Sequence, residues 1–145
     1  AQAVRFCLHA GGLRRRDIDW IGYYELPALK LQRIAATRAA TNGRGEEEYQ
    51  AAIRRFASGR LDVGGYFGRY AGGKTQVLAT EHHISHAASA FYPSPFEEAA
   101  VVTIDGVGEY ATTSIAHGRG NRIDPLCEVA FPHSLGLFYS AFTYY

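Results

Sequence analysis

The chain has 145 residues, about the size of one domain, and 47% of them are apolar, which excludes an intrinsically disordered protein. Its 15 basic and 14 acidic residues leave a formal net charge of +1, so no excess charge predicts a nucleic-acid or membrane partner. No apolar run approaches the roughly 20 residues that cross a bilayer, and no signal peptide is recognisable. We therefore expect a globular protein of the cytoplasm.

Hydrophobic periodicity predicts that helices alternate with strands. Val4, Cys7 and Leu8 recur at helical spacing, and the next strand-like run, residues 20–24, is closed by Pro27. Further along we predict helices at 28–41 and 46–58, an irregular stretch at 59–73, a strand at 75–80, a helix at 86–91, strands at 99–104, 110–116 and 123–131, and a helix at 135–145 capped by Ser134. The run 99–104 is almost continuously apolar, so we expect it to be buried on both faces.

The two cysteines and the two chain ends give further expectations. Cys7 and Cys127 have apolar neighbours and form no CxxC pair, so we expect two reduced, buried thiols rather than a disulfide. The chain begins on Ala1 rather than Met, and both ends fall inside helical patterns. We expect it to be a piece of a longer protein.

Three of the six histidines lie within five residues, at positions 82, 83 and 86. Histidines four apart on a helix project from one face, so neutral imidazoles of His82 and His86 can bind one divalent ion. A carboxylate or a substrate oxygen must complete such a site. His83 points about 100° away, and we expect it to contact substrate or to be structural. A hydrogen-bonded or exposed histidine cluster without a metal is the alternative.

A glycine-rich acidic turn follows the most apolar strand. Its residues are Asp105, Gly106, Val107, Gly108 and Glu109. Glycines let backbone N–H groups approach an anion, and the acids can hold a metal or its waters, so a phosphate-binding loop is one interpretation. An ordinary hairpin turn is the other. The turn matches neither a Walker A loop nor a dinucleotide fingerprint.

Three long motifs carry a resemblance to a known family. They are EHHISHAASAFYPSPFEEAA at 81–100, TIDGVGE at 103–109 and PHSLGLFYSAFTYY at 132–145. Together they strongly resemble the O-carbamoyltransferases of the NodU/CmcH type, which include nodulation-factor, cephalosporin and tobramycin carbamoyltransferases. The match is close from residue 75 to 145 and loose before it.

The resemblance implies an α/β fold, a fragment of the actin-like ATPase architecture with two ribonuclease-H-like lobes. Residues 1–98 would be part of the first lobe, and residues 99–145 would start the second. The YrdC-like domain of the family, the first hairpin of the first lobe and a distant aspartate ligand would lie outside this chain. We expect the fragment alone to be inactive.

The resemblance also implies a reaction. Carbamoyl phosphate and ATP would give a carbamoyl adenylate, and the carbamoyl group would pass to a hydroxyl of a small molecule or sugar. His82 and His86 would hold a divalent metal, Fe²⁺ by resemblance, with Mg²⁺ or Mn²⁺ as other candidates. Asp105 would open a phosphate loop, and His83 is a candidate base on position alone. The alternatives are a threonylcarbamoyl transferase acting on tRNA, a non-catalytic nucleotide-binding module and a metal-free domain.

Overall fold

The computed structural model describes residues 2–71 and 74–144, with the side chains of all of these except 59 and 60. The helices are α1 (Gln2–Ala10), α2 (Pro27–Ala40), α3 (Glu46–Arg55), α4 (Val63–Ala71), α5 (His82–Phe91) and α6 (Leu135–Thr143). The strands are β1 (Trp20–Tyr23), β2 (Gln76–Ala79), β3 (Glu98–Ile104), β4 (Ala111–Arg119) and β5 (Arg122–Ala130). A short 3₁₀ turn spans Arg15–Asp17, and a π-helical turn, Phe56–Arg60, extends α3. The fold is therefore mixed α/β.

The first sheet pairs β1 with β2 in parallel, with Trp20 opposite Gln76 and Tyr23 opposite Ala79. A parallel pair needs a long crossover, and α2, α3 and α4 supply it. Because the two strands run the same way, both end at the same edge of the sheet. The residues after β1 and the start of α5, which follows β2, therefore meet there.

The second sheet is an antiparallel meander in the order β3-β4-β5, and α5 packs on one of its faces. Small residues along α5 allow this close approach. The core on this face consists of Ala87 and Phe91 from α5, Val101 from β3 and Ala116 from β4. The β4–β5 register shifts beside Pro125, which sits at a bulge where a missing N–H is tolerated.

The opposite face of the second sheet is apolar and exposed. The side chains of Val102 and Ile104 on β3 are 58% and 57% exposed, and Ile115 and Val129 on the neighbouring strands are also exposed. The expectation that residues 99–104 are buried on both faces is therefore wrong, because only the α5 side of β3 is covered.

Most predicted elements are confirmed, with shifts of a few residues at their ends. The irregular stretch predicted at 59–73 is wrong over Val63–Ala71, which forms α4 despite three glycines, and residues 72–73 lie outside the described residues. The helix predicted at 86–91 begins earlier, at His82. Ser134 caps α6 as predicted, accepting the Leu137 N–H at 3.0 Å. The end of that predicted helix, residue 145, lies outside the described residues.

Two sequence expectations concern the surface. Cys7 and Cys127 are free, as expected, but both are exposed, so the expectation of buried thiols is wrong. Cys7 lies on α1 and Cys127 on β5, and neither element contains a buried residue. Among residues 2–71 and 74–144, no helix is long and apolar enough to span a membrane. The division into lobes at 98/99 stays a prediction.

We expect Phe91→Ala to lower the free energy of unfolding by about 3–5 kcal/mol, because Phe91 is only 4% exposed and fills the space between α5 and the second sheet. Urea unfolding would measure the change. Phe96→Ala is the matched control, since that ring is 64% exposed, and its effect should stay within about 0.5 kcal/mol. Equal losses in the two variants would contradict the assignment of this core.

Candidate metal centre

The carboxylate of Glu109 holds the beginning of α5 in place. Glu109 is buried, and its oxygens accept the backbone N–H of His82 at 3.0 and 3.2 Å. One of them also accepts the N–H of Leu26, in the loop after β1, at 2.7 Å. A carboxylate at a helix N-terminus satisfies amides that have no partner within the helix and complements the helix dipole. One side chain of the turn between β3 and β4 thus fixes two segments at the edge of the first sheet.

His82, His86 and Asp105 converge on one point. His82 Nε2 lies 2.9 Å from Asp105 Oδ2 and 3.0 Å from His86 Nε2, and His86 Nε2 lies 3.8 Å from Asp105 Oδ2. One ligand atom from each residue falls within 4.8 Å of the other two. The spacing of His82 and His86 on α5 brings their rings onto one face, as predicted, and the turn after β3 brings Asp105 to them.

The Asp105 carboxylate is oriented by its own turn and by α6. Its Oδ1 accepts the Gly106 N–H at 2.6 Å, which leaves Oδ2 facing the imidazoles. Ser134 Oγ contacts the carbonyls of Asp105 and Gly106 at 3.2 and 2.7 Å. A β-carbon at Gly136 would overlap the Asp105 backbone, so only glycine lets α6 approach this closely. The turn is therefore held by its own hydrogen bond to Asp105 and by the contact with Ser134 before α6.

The charge state of Asp105 follows from these contacts. Burial alone would raise the pKa of Asp105, but the hydrogen bonds from the Gly106 N–H and from His82, with the nearby imidazoles, lower the pKa below its ordinary value. The group is an ionised carboxylate at neutral pH. It is available as an anionic ligand beside two imidazoles.

His83 lies beside this cluster but faces β4. Its side chain is buried, and Nδ1 lies 3.0 Å from Ser114 Oγ. Burial lowers the pKa of His83, and the nearby His82 and His86 lower it further, while Asp105 and Glu109 act in the opposite direction. The imidazole is therefore neutral at neutral pH. A β-carbon at Gly108 would lie 3.1 Å from the His83 ring and 3.2 Å from His82, so this glycine permits the turn to close over both rings.

The site residues named from the sequence do not all lie in one cluster. It brings His82, His86 and Asp105 together, with Asp105 serving as a possible ligand rather than only as part of a loop. Gly108 allows close packing against the histidines, and Gly106 donates its N–H to Asp105. Val107 lies between them, and the carboxylate of Glu109 is bonded to backbone amides. The roles given to His83 and to the 105–109 turn stay predictions.

Sequence reasoning missed Tyr24. Its ring centroid lies 5.5 Å from that of His82, in an edge-on arrangement. The signal that would have found it is its position directly after β1, since the carboxyl ends of neighbouring parallel strands meet at one edge of a sheet. Ser134 was named only as a helix cap, and its second contact, with the Asp105 turn, depends on tertiary packing.

The donor set fits a divalent metal. Two imidazole nitrogens and one carboxylate oxygen suit first-row ions such as Fe²⁺, Mn²⁺ or Zn²⁺, and three protein ligands leave positions for a substrate. The inner nitrogen of His82, Nδ1, is enclosed and has no hydrogen-bond partner among the described atoms. That nitrogen carries the proton when Nε2 binds an ion, so the imidazole can present Nε2 as a ligand.

Comparison with known proteins identifies the family. Residues 1–145 match the family described as the carbamoyltransferase N-terminus. The chain belongs to this family. The resemblance to O-carbamoyltransferases of the NodU/CmcH type is thereby confirmed.

Individual relatives cover the chain to different extents. An uncharacterized protein of Synechocystis sp. is 43% identical over 152 residues, which cover 99% of this chain and 25% of that protein. The nodulation protein NolNO of Sinorhizobium fredii is 32% identical over 95% of this chain and 19% of its own length. The nodulation protein NolO of Bradyrhizobium diazoefficiens is 48% identical over 60 residues, 40% of this chain and 11% of that protein. The chain thus spans a quarter or less of these relatives.

We expect Glu109→Ala to lower the free energy of unfolding by about 1–3 kcal/mol, because two amides lose a buried acceptor. Native-state hydrogen exchange should show faster exchange at the amides of Leu26 and His82 than in the parent. Glu97→Ala removes an exposed carboxylate and serves as the control. If these two amides keep their protection in Glu109→Ala, the bridging role of Glu109 is wrong.

Proposed function

We propose that this chain supplies the metal-binding part of an O-carbamoyltransferase, with the actin-like architecture that the family resemblance implies. The observation that carries the proposal is the convergence of His82, His86 and Asp105, in a chain that belongs to the carbamoyltransferase N-terminus family. The reaction uses carbamoyl phosphate and ATP to form a carbamoyl adenylate. The carbamoyl group then passes to a hydroxyl of a small molecule or sugar.

His82, His86 and Asp105 would hold the divalent ion in this proposal. When bound, the ion supplies positive charge that stabilises developing negative charge on phosphate oxygens. We propose Fe²⁺, which the resemblance to the family implies, with Mn²⁺ as the alternative. Mg²⁺, also named from the sequence, suits a site with two imidazole ligands less well because it prefers oxygen ligands. Asp105 suits the role of a metal ligand because its carboxylate is ionised. The hydrogen bond from the Gly106 N–H and the contact with Ser134 fix the direction of that carboxylate.

The turn 105–109 contributes more to geometry than to direct anion binding in this proposal. The Gly106 N–H donates to Asp105, and the Gly108 N–H donates to the Ala111 carbonyl at 2.9 Å. Two amides that a phosphate loop would use are therefore engaged inside the protein. In this proposal the phosphate groups of ATP are bound by the positive charge of the metal ion, and the 105–109 turn lies beside that ion.

His83 remains our candidate for the base that accepts the proton of the acceptor hydroxyl. Its neutral state suits a base. Its Nδ1 contacts Ser114, and its Nε2 is enclosed without a partner, so an acceptor reaches Nε2 only if α5 and the 105–109 turn separate slightly. Without that movement, the role of His83 is structural: its contact with Ser114 holds α5, which carries the metal ligands, against β4.

The experiment uses the full-length protein and measures ATP–pyrophosphate exchange that depends on carbamoyl phosphate. We expect His82→Ala and His86→Ala each to lower this exchange roughly 100-fold or more and to lower bound metal, because each removes a ligand. His117→Ala is the control, since His117 lies on β4 and contacts Glu98 at 2.7 Å, outside the cluster. Its exchange and metal content should match the parent.

Other outcomes would identify other functions. No exchange at all with intact metal binding would point to a non-catalytic nucleotide-binding module. Exchange that requires bicarbonate and threonine instead of carbamoyl phosphate would point to threonylcarbamoyl transfer. Full exchange and full metal content in both histidine variants would contradict the metal assignment.

A further inference from the structure

The inner nitrogen of His82 needs a partner. His82 Nδ1 is enclosed by protein and makes no hydrogen bond with a described atom. Histidines that bind metals nearly always donate their second ring N–H to another group, which fixes the tautomer and the ring orientation. An enclosed donor with no acceptor is unfavourable, because it has lost its hydrogen bonds to water without gaining another. The surroundings of the His82 ring therefore decide how well it can serve as a ligand.

Two sides of the His82 ring can be assigned from its contacts. Nε2 faces Asp105 and His86. The Cβ and Cδ2 atoms lie against Gly108, where an added β-carbon would come within 3.2 Å. The edge that remains carries Nδ1 and Cε1. Tyr24, in the loop after β1, is an aromatic neighbour of His82, and the two ring planes are inclined at 60°.

We propose that the ring of Tyr24 is the outer partner of His82: its π face accepts the Nδ1–H and so keeps Nε2 free for the ion. This inference rests on the metal site proposed above. An N–H directed at an aromatic face is a weak hydrogen bond, but it is favourable where no water or carbonyl reaches the donor. Tyr24 is thereby a positioning residue for the centre.

The loop that carries Tyr24 is well fixed. The Thr80 N–H donates to the Tyr23 carbonyl at 3.1 Å, which holds the ends of β1 and β2 together. Glu25 is buried and pairs with Lys30 at 2.8 Å, and the Leu26 N–H is held by Glu109. These contacts stand on both sides of Tyr24 in the sequence. The ring is therefore presented to His82 without a large loss of loop entropy on metal binding.

The test compares Tyr24→Phe with Tyr24→Leu in the full-length protein and uses Co²⁺ as the probe. Phenylalanine keeps the π face, whereas leucine keeps apolar bulk without it. We expect Tyr24→Phe to bind Co²⁺ like the parent and Tyr24→Leu to bind roughly 10-fold more weakly, the lower end of the effect seen for outer partners of metal ligands. Tyr66→Leu is the control, because Tyr66 is similarly exposed, at 57% against 49%, and contacts Phe67 rather than His82.

A spectroscopic measurement separates the π contact from general packing. In the Zn²⁺-loaded protein labelled with ¹⁵N-histidine, the His82 Nδ1–H proton should show an upfield ring-current shift in the parent and in Tyr24→Phe, and lose it in Tyr24→Leu. Equal Co²⁺ affinity in the phenylalanine and leucine variants, or the absence of the shift in the parent, would overturn the role of Tyr24. Failure of the parent itself to bind Co²⁺ and Zn²⁺ would overturn the metal site together with this inference.

Discussion

The candidate centre depends on the buried carboxylate of Glu109. This group lies in the turn between β3 and β4, yet it accepts amides from the start of α5 and from the loop after β1. Without it, the amides of His82 and Leu26 would lose the acceptor that they share, and with it the tie between the start of α5 and the loop that carries Tyr24. A carboxylate suits this position better than an amide side chain, since both of its oxygens accept hydrogen bonds and its charge complements the helix dipole.

The rest of the centre is arranged around that fixed point. Once the start of α5 is set, the helical repeat places His82 and His86 on one face, and the 105–109 turn closes over them with only hydrogen at Gly108. The approach of α6 through Ser134 and Gly136 then holds Asp105 from the other side. The ligands come from α5 and from the turn after β3, and the backbone of each segment is held by a side chain, Glu109 for α5 and Ser134 for the turn.

Sequence reasoning worked best where the signal was local. The spacing of His82 and His86, the capping serine at 134 and the strand 99–104 all follow from one or two turns of chain. Sequence reasoning failed where contacts between distant parts of the chain determine the local structure or the role of a side chain. Residues 63–71 contain three glycines that argue against a helix, but α4 packs against β2 and forms one. Glu109 looked like a residue of an anion loop, and only the proximity of Leu26, 83 positions away, shows which groups its oxygens bind. Tyr24 could not be assigned before the order of β1 and β2 was known.

The exposed apolar side of the second sheet has a consequence for the thermodynamics of unfolding. The accessible surface of the chain is 10381 Å², whereas a compact monomer of 15.9 kDa has about 7,400 Å². The chain therefore exposes about 3,000 Å² more than a compact monomer of its size, and the apolar side of the second sheet contributes part of that excess. Because these side chains already contact water in the folded state, unfolding of this chain by itself exposes relatively little new surface. Its denaturant m-value and heat-capacity change should therefore be smaller than chain length alone implies, and both should rise when that face is covered.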